Sequence, residues 1–221
     1  VIPRVVLVTD PRYGLEHTAR VIRWSAAALG PGRLLVQLRD KESGEGELVA
    51  LARALRDVTR EVDARFVVNG LVAFAEAVGA DGVHLPSTGR FAGATLGSRI
   101  AAARTLLGDG AVITTGAHDD VELRAADLAG ATAALVSPIF ETPGKGAARG
   151  VAAIASARAV VDASRRTPVM LVYALGGVTP ESAASCRDAG ADGVAVIRAL
   201  CEASDESAVR AAARALAGER P

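Results

Sequence analysis

The first thing this sequence lacks is net charge: 25 lysines and arginines stand against 25 aspartates and glutamates. Nucleic-acid and membrane-surface proteins usually carry a basic face, so the balance argues against both. Long hydrophobic runs are also missing. Half the residues are apolar, yet no run approaches the ~20 needed to span a bilayer. No signal-peptide pattern opens the chain, because Val1-Ile2-Pro3-Arg4 leads straight into an apolar segment. A cytoplasmic protein is expected, and the absent initiator methionine suggests a processed or trimmed N-terminus. Cysteine is scarce: Cys186 and Cys201 stand alone, which reads as reduced and structural. No Cys/His spacing resembles a zinc site.

What is present is a strict alternation of strand-like and helix-like segments. Short β-branched or apolar runs predict strands at Val5–Thr9, Leu34–Leu38, Phe66–Val68, Gly82–Leu85, Val112–Thr115, Ala133–Val136, Val169–Leu175 and Asp192–Ile197. Between them, helical spacing predicts helices at Leu15–Leu29, Glu45–Val62, Val72–Val78, Ser98–Leu107, Asp119–Leu128 and Ala152–Arg166. A seventh opens at Thr179-Pro180 and ends near Gly190, and an eighth covers Glu206–Ala217. Several strands are continuously apolar, as strands covered by helices should be. Eight such units in one chain of 221 residues favour a single (β/α)8 TIM barrel spanning 1–221 over an open doubly wound sheet. Gly-Ala-Asp-Gly-Val occurs twice, at 79–83 and 190–194. The echo reads as shared helix–turn–strand geometry without chemistry.

The segment around strands 7 and 8 organises the rest. Gly176-Gly177 follows one strand and Ile197-Arg198 the next, and both turns precede helices. In (β/α)8 barrels these two loops commonly bind a phosphate through backbone N–H groups. Gly176, Gly177, Ile197 and Arg198 are therefore candidate phosphate contacts.

The other polar candidates fall at the same ends of their strands, the rim where barrel sites are built. Arg39 and Lys41 follow strand 2, Asn69 strand 3, Ser87 strand 4 and His118 strand 5, with Thr142 and Lys145 after strand 6. Arg39 could grip a carboxylate or phosphate with two parallel hydrogen bonds. Lys145, between Gly144 and Gly146, is either a ligand on a closing loop or an exposed lysine. Asn69 could bind a heterocycle or simply occupy an Asn-Gly turn. His118 alone among the three histidines lies just beyond a strand end, which suits proton exchange near neutrality. His17 reads as a surface residue and His84 as a satisfied core or rim residue.

The segments VVLVTD (5–10), VQLRDK (36–41), VVNGLV (67–72), GADGVHLPS (79–87), SPIFETPGKG (137–146), ALGGVTPES (174–182) and AGADGVAVI (189–197), taken in order, resemble the thiamin phosphate synthase superfamily, which includes TenI-type thiazole tautomerases. That resemblance implies a (β/α)8 barrel, a thiazole phosphate ligand and a role in thiamin biosynthesis. The synthase branch joins a pyrimidine pyrophosphate to a thiazole phosphate with Mg2+. Its Asn-Asp after strand 3 is here Asn69-Gly70, and its second aspartate after strand 4 is Gly89. Gly116 and Gly144 replace two further hydroxyl residues of that pattern, although Thr142 and Lys145 remain.

The tautomerase pattern looks closer: Asn69-Gly70, Leu85-Pro86-Ser87, His118, Phe140 to Thr142 and Lys145-Gly146. Lys41 leans toward the synthase, and Arg198 stands where a small residue is usual. The resemblance thus implies a metal-independent thiazole tautomerase first. His118 would be its acid/base, Arg39 or Lys145 would hold the carboxylate, and Lys41, Asn69, Ser87 and Thr142 would help to bind. A Mg2+-dependent synthase using Asp10, Asp40 or Glu141, or a non-catalytic binder of thiazole or thiamin phosphate, are the alternatives. Neither nucleic acid nor a membrane is an expected partner, and oligomeric state stays open, a homo-oligomer included.

Overall fold

The structure, a computed structural model, describes residues 2–86, 95–144 and 146–219. Eight parallel strands close into a barrel in chain order: β1 (Val5–Val8), β2 (Leu34–Leu38), β3 (Arg65–Asn69), β4 (Gly82–Leu85), β5 (Val112–Ala117), β6 (Ala133–Val136), β7 (Leu171–Leu175) and β8 (Gly193–Val196). Between and after them run α1 (Gly14–Leu29), α2 (Glu45–Glu61), α3 (Val72–Ala77), α4 (Leu96–Leu107), α5 (Asp120–Leu128), α6 (Ala152–Ser164), α7 (Ala183–Asp188), α8 (Arg198–Cys201) and α9 (Glu206–Ala217). None of these helices is long and apolar enough to cross a membrane.

Two differences from the sequence expectation have simple causes. Helix α7 starts four residues after Thr179. Thr179 and Ser182 instead bond to each other's backbone N–H groups, which makes a turn of the residues that looked like a helix cap. The segment α8 is a single turn and a 3-10 turn covers Pro11–Tyr13; neither is long enough to show a hydrophobic period. Asp119 caps α5, its carboxylate accepting from Glu122 N at 2.8 Å.

The core has two layers. Val6, Val8, Leu35, Val67, Ala133, Leu135, Tyr173 and Ala195 fill the barrel, while their strand neighbours Val5, Leu7, Leu34, Val36, Val68, Val83 and Val172 pack outward under the helices. Strands buried on both faces explain the continuous apolar runs.

The echoed Gly-Ala-Asp-Gly-Val proves to be a fastening used twice. Asp81 Oδ2 accepts from Phe66 N at 2.7 Å, and both its oxygens take the Arg56 guanidinium at 2.8 and 2.9 Å. Asp192 Oδ2 likewise accepts from Val172 N at 2.8 Å and from Arg158 at 3.2 Å. Each aspartate thereby ties the preceding strand to the helix before that strand. The glycine after each aspartate lets the next strand approach. A Cβ on Gly82 would lie 1.9 Å from Val112 O, and one on Gly193 would lie 2.4 Å from Arg4 O. Asp81→Ala would strand a mostly buried guanidinium and a backbone N–H, so a loss of about 2–4 kcal/mol is expected. Urea denaturation checks it, with exposed Asp188→Ala as a near-neutral control.

Candidate functional site

The C-terminal mouth of the barrel brings together residues far apart in sequence. Near β7, the turn Gly176–Gly177 is covered by the loop after β6: Ile139 N donates to Leu175 O at 3.0 Å and Phe140 N to Gly176 O at 2.9 Å. Both glycines have positive φ, +101° and +65°. A Cβ on Gly176 would sit 3.2 Å from Thr142 Oγ1, and one on Gly177 2.7 Å from Glu141 O. Thr142 is thus seated on the β7 turn. After β8, Ile197 caps α8 and Arg198 is its exposed first residue. A short extra helix here is the usual companion of a barrel phosphate site.

His118 lies exposed beyond β5, at the start of α5. Its backbone N–H donates to Glu122 at 2.8 Å, and its ring Nδ1 is 3.1 Å from Ser137 O. A carbonyl only accepts, so this bond puts the proton on Nδ1 and leaves the Nε2 lone pair available. An imidazole oriented by a backbone carbonyl is equipped to move a proton.

Near β2, Thr9 fixes the backbone of Arg39: its hydroxyl accepts from Arg39 N at 2.9 Å and donates to Arg39 O at 3.3 Å. Lys41 is exposed. Among the described residues neither Arg39 nor Lys41 forms an ion pair. The neighbouring carboxylates are committed locally. Asp10 takes the Arg12 guanidinium at 2.7 and 2.9 Å as well as Arg12 N. Asp40 accepts from Glu42 N, Ser43 N and the Ser43 hydroxyl. Both carboxylates are held below the usual range, Asp10 by Arg12 and Asp40, despite burial, by those Ser43 and Glu42 donors. A cavity of about 120 Å3 opens between Asp10, Thr18, Arg39, Asp40, Ser43 and Leu51.

Asn69 ends β3, level with His84 of β4. Gly70 follows with φ +120°, a conformation that disfavours any side chain. Ser87 and Lys145 lie outside the described residues.

Two polar residues outside the sequence candidates lie inside the barrel. His84 faces the barrel interior from β4, its Nδ1 2.9 Å from Thr114 Oγ1. Burial, then the Arg39 and Arg99 guanidinium groups, push its pKa down to about 4. Gln37 is 2 % exposed, and its Oε1 has no hydrogen-bond partner among the described residues. The lowered pKa has a measurable consequence. The unfolded chain takes up this proton near pH 6.5 and the folded chain only near 4. Stability is therefore full above 6.5 and falls by up to about 3 kcal/mol as pH drops to 4. His84→Gln should flatten that part of the stability-versus-pH curve.

Among the described residues, no three His, Cys, Asp or Glu side chains converge as metal ligands.

A family model described as thiamine monophosphate synthase matches residues 5–200. The chain is 37 % identical over 211 residues to a thiamine-phosphate synthase of Moorella thermoacetica, covering 96 % of this chain and 92 % of that one. It is 40 % identical over 206 residues to a thiamine-phosphate synthase of Chromobacterium violaceum, covering 93 % and 91 %. A solved structure of a thiamine phosphate pyrophosphorylase from Pyrococcus furiosus superposes with a TM-score of 0.73 at 27 % identity, covering 96 % and 93 %. With the barrel, its mouth and these similarities in hand, the chain belongs to the thiamine monophosphate synthase family.

Proposed function

We propose that this chain, as one barrel domain, is an enzyme of thiamin biosynthesis that seats a thiazole phosphate over the mouth. The phosphate rests on the turn Gly176–Gly177 and on the backbone at Ile197 and Arg198. Thr142, in the loop after β6, and Asn69, at the end of β3, would bind beside it, and the resemblance assigns Lys145 and Ser87 to the same ligand. The seating of Thr142 against Gly176 carries this assignment, because it brings the loop after β6 onto the glycine turn proposed to hold the phosphate.

Of two reactions, condensation with a pyrimidine pyrophosphate takes first place. The relatives are named for it, and the buried Gln37 Oε1, which has no partner among the described residues, offers a polar group that a heterocycle with N–H donors would complete. The order expected from sequence is thereby reversed. In this reaction the thiazole nitrogen takes the pyrimidinylmethyl group, and pyrophosphate leaves with the electron pair of the broken C–O bond. The described residues do not fit the Mg2+ that the resemblance implies for such a step. Asp10 and Asp40 are spent on local donors, and Gly70 stands in a glycine conformation.

Proton transfer on a carboxylated thiazole phosphate is the second reading, favoured by the oriented His118 ring. One assay separates them. Thiamin phosphate and pyrophosphate formed from the two precursors establish condensation. Deuterium entering the thiazole from heavy water, without condensation, establishes tautomerisation. Binding without either product leaves a non-catalytic carrier.

A further inference from the structure

Two consecutive threonines on β5 spend their hydroxyls differently. Thr115 shares the outward face of Ile113, and its hydroxyl donates to Leu85 O at 2.8 Å. Thr114 is 1 % exposed, and its hydroxyl has one partner among the described residues, His84 Nδ1 at 2.9 Å. Register sets Asn69, His84 and Thr114 side by side on β3, β4 and β5. Val67 and Val112 belong to the barrel interior, so Asn69 and Thr114, two residues further along, face it too.

Counting hydrogens then fixes the imidazole. A threonine hydroxyl carries one hydrogen, which when buried needs an acceptor. If His84 Nδ1 held the proton, it would donate to Thr114, and the Thr114 hydrogen would be buried without an acceptor, a costly state. With Nδ1 bare, Thr114 donates to it and that hydrogen is placed. The His84 proton then sits on Nε2, which has no partner among the described residues. This is the opposite tautomer from His118, whose Nδ1–H donates to Ser137 O. Burial keeps the His84 ring neutral near neutrality, so it offers a donor without a charge.

We propose that Thr114 is a positioning residue that fixes His84 as an Nε2–H donor to a ring-nitrogen lone pair of the bound heterocycle. The identity of that heterocycle rests on the function proposed above. In condensation the thiazole nitrogen must keep its lone pair for the new bond, so the acceptor is a pyrimidine ring nitrogen. In proton transfer it is the thiazole nitrogen. A ring presenting its own N–H at this point would meet Nε2–H donor to donor, so the pair selects the unprotonated ring.

The test combines heteronuclear NMR of the His84 ring with calorimetry, on wild type, Thr114→Val, Thr114→Ser and His84→Gln, with circular dichroism confirming that each folds. Wild type at neutral pH should show a protonated Nε2 and a bare Nδ1. Thr114→Val removes the hydroxyl at nearly the same size, so the Nε2–H form should lose population. The ligand that uses this donor should then bind about three- to tenfold more weakly, the scale of one neutral hydrogen bond. Its KM should rise while kcat holds, and Thr114→Ser should restore both tautomer and affinity. In the His84→Gln background, Thr114→Val should weaken binding no further. An equal loss there shows Thr114 acting without His84 and overturns the proposal. So does a wild-type proton on Nδ1, or an Nε2–H signal that neither pyrimidine pyrophosphate nor thiazole phosphate moves. Whichever of the two moves the signal identifies the ring. If the signal moves and depends on Thr114, while neither thiamin phosphate nor deuterated thiazole forms, the proposed function fails and this inference stands.

Discussion

Gly82→Ala should leave little or no folded protein. Its new methyl carbon would lie 1.9 Å from Val112 O, 2.6 Å from Val112 C and 2.7 Å from Val112 N. All three are backbone atoms of the adjacent strand, so no side chain can rotate away to make room. β4 and β5 would have to separate, breaking the pairing Gly82–Val112 through Leu85–Thr115 on which closure depends. The penalty should exceed about 4 kcal/mol, the exceptional end of single substitutions, against a total stability typically of about 5–15 kcal/mol. Expression in the soluble fraction and the thermal midpoint check it. Gly110→Ala, where a Cβ meets no atom within 4 Å, should behave like wild type.

The second large effect is at His118, and it separates the two reactions. In proton transfer, His118→Ala removes the group that moves the proton, so kcat should fall by about 10²–10⁴. Affinity for the thiazole phosphate should change little, because the phosphate seat proposed above lies on loops elsewhere. In condensation no proton must pass through His118, and the same variant should lose much less turnover. Single-turnover kinetics on both substrate sets, with ligand affinity measured separately, gives the comparison. Unchanged tautomerisation in the variant would remove His118 from the chemistry. Lost affinity with intact turnover of bound substrate would make it a binding residue.

The barrel was legible in the sequence because its strands are apolar on both faces and separated by helical periods. The same property hid part of the mouth. His84 lies between Val83 and Leu85, which both face the helices. In a strand buried on both sides, nothing in the sequence says which face is the interior, so His84 read as core. Gln37 was invisible for the same reason, one polar residue in an apolar run. Arg39, Asn69 and His118 could be picked out because they follow strand ends. The turn at Thr179-Pro180 misled because a hydroxyl before a proline looks like a helix cap, whereas Ser182 competes for the same bonds.

The doubled Asp-Gly fastening divides the molecule in a way the continuous barrel conceals. Each aspartate binds two strands into one unit with a helix, and each following glycine marks where that unit meets the next: β4 against β5, and β8 against β1. The ring is therefore two four-stranded arcs joined at two glycine seams. A chain severed at Gly110 would yield two pieces, each fastened internally and each with two bare strand edges that water satisfies poorly in an apolar setting. Neither arc can cover both of its own edges, whereas the other arc covers both at once. Separately made halves should thus be soluble only in each other's company.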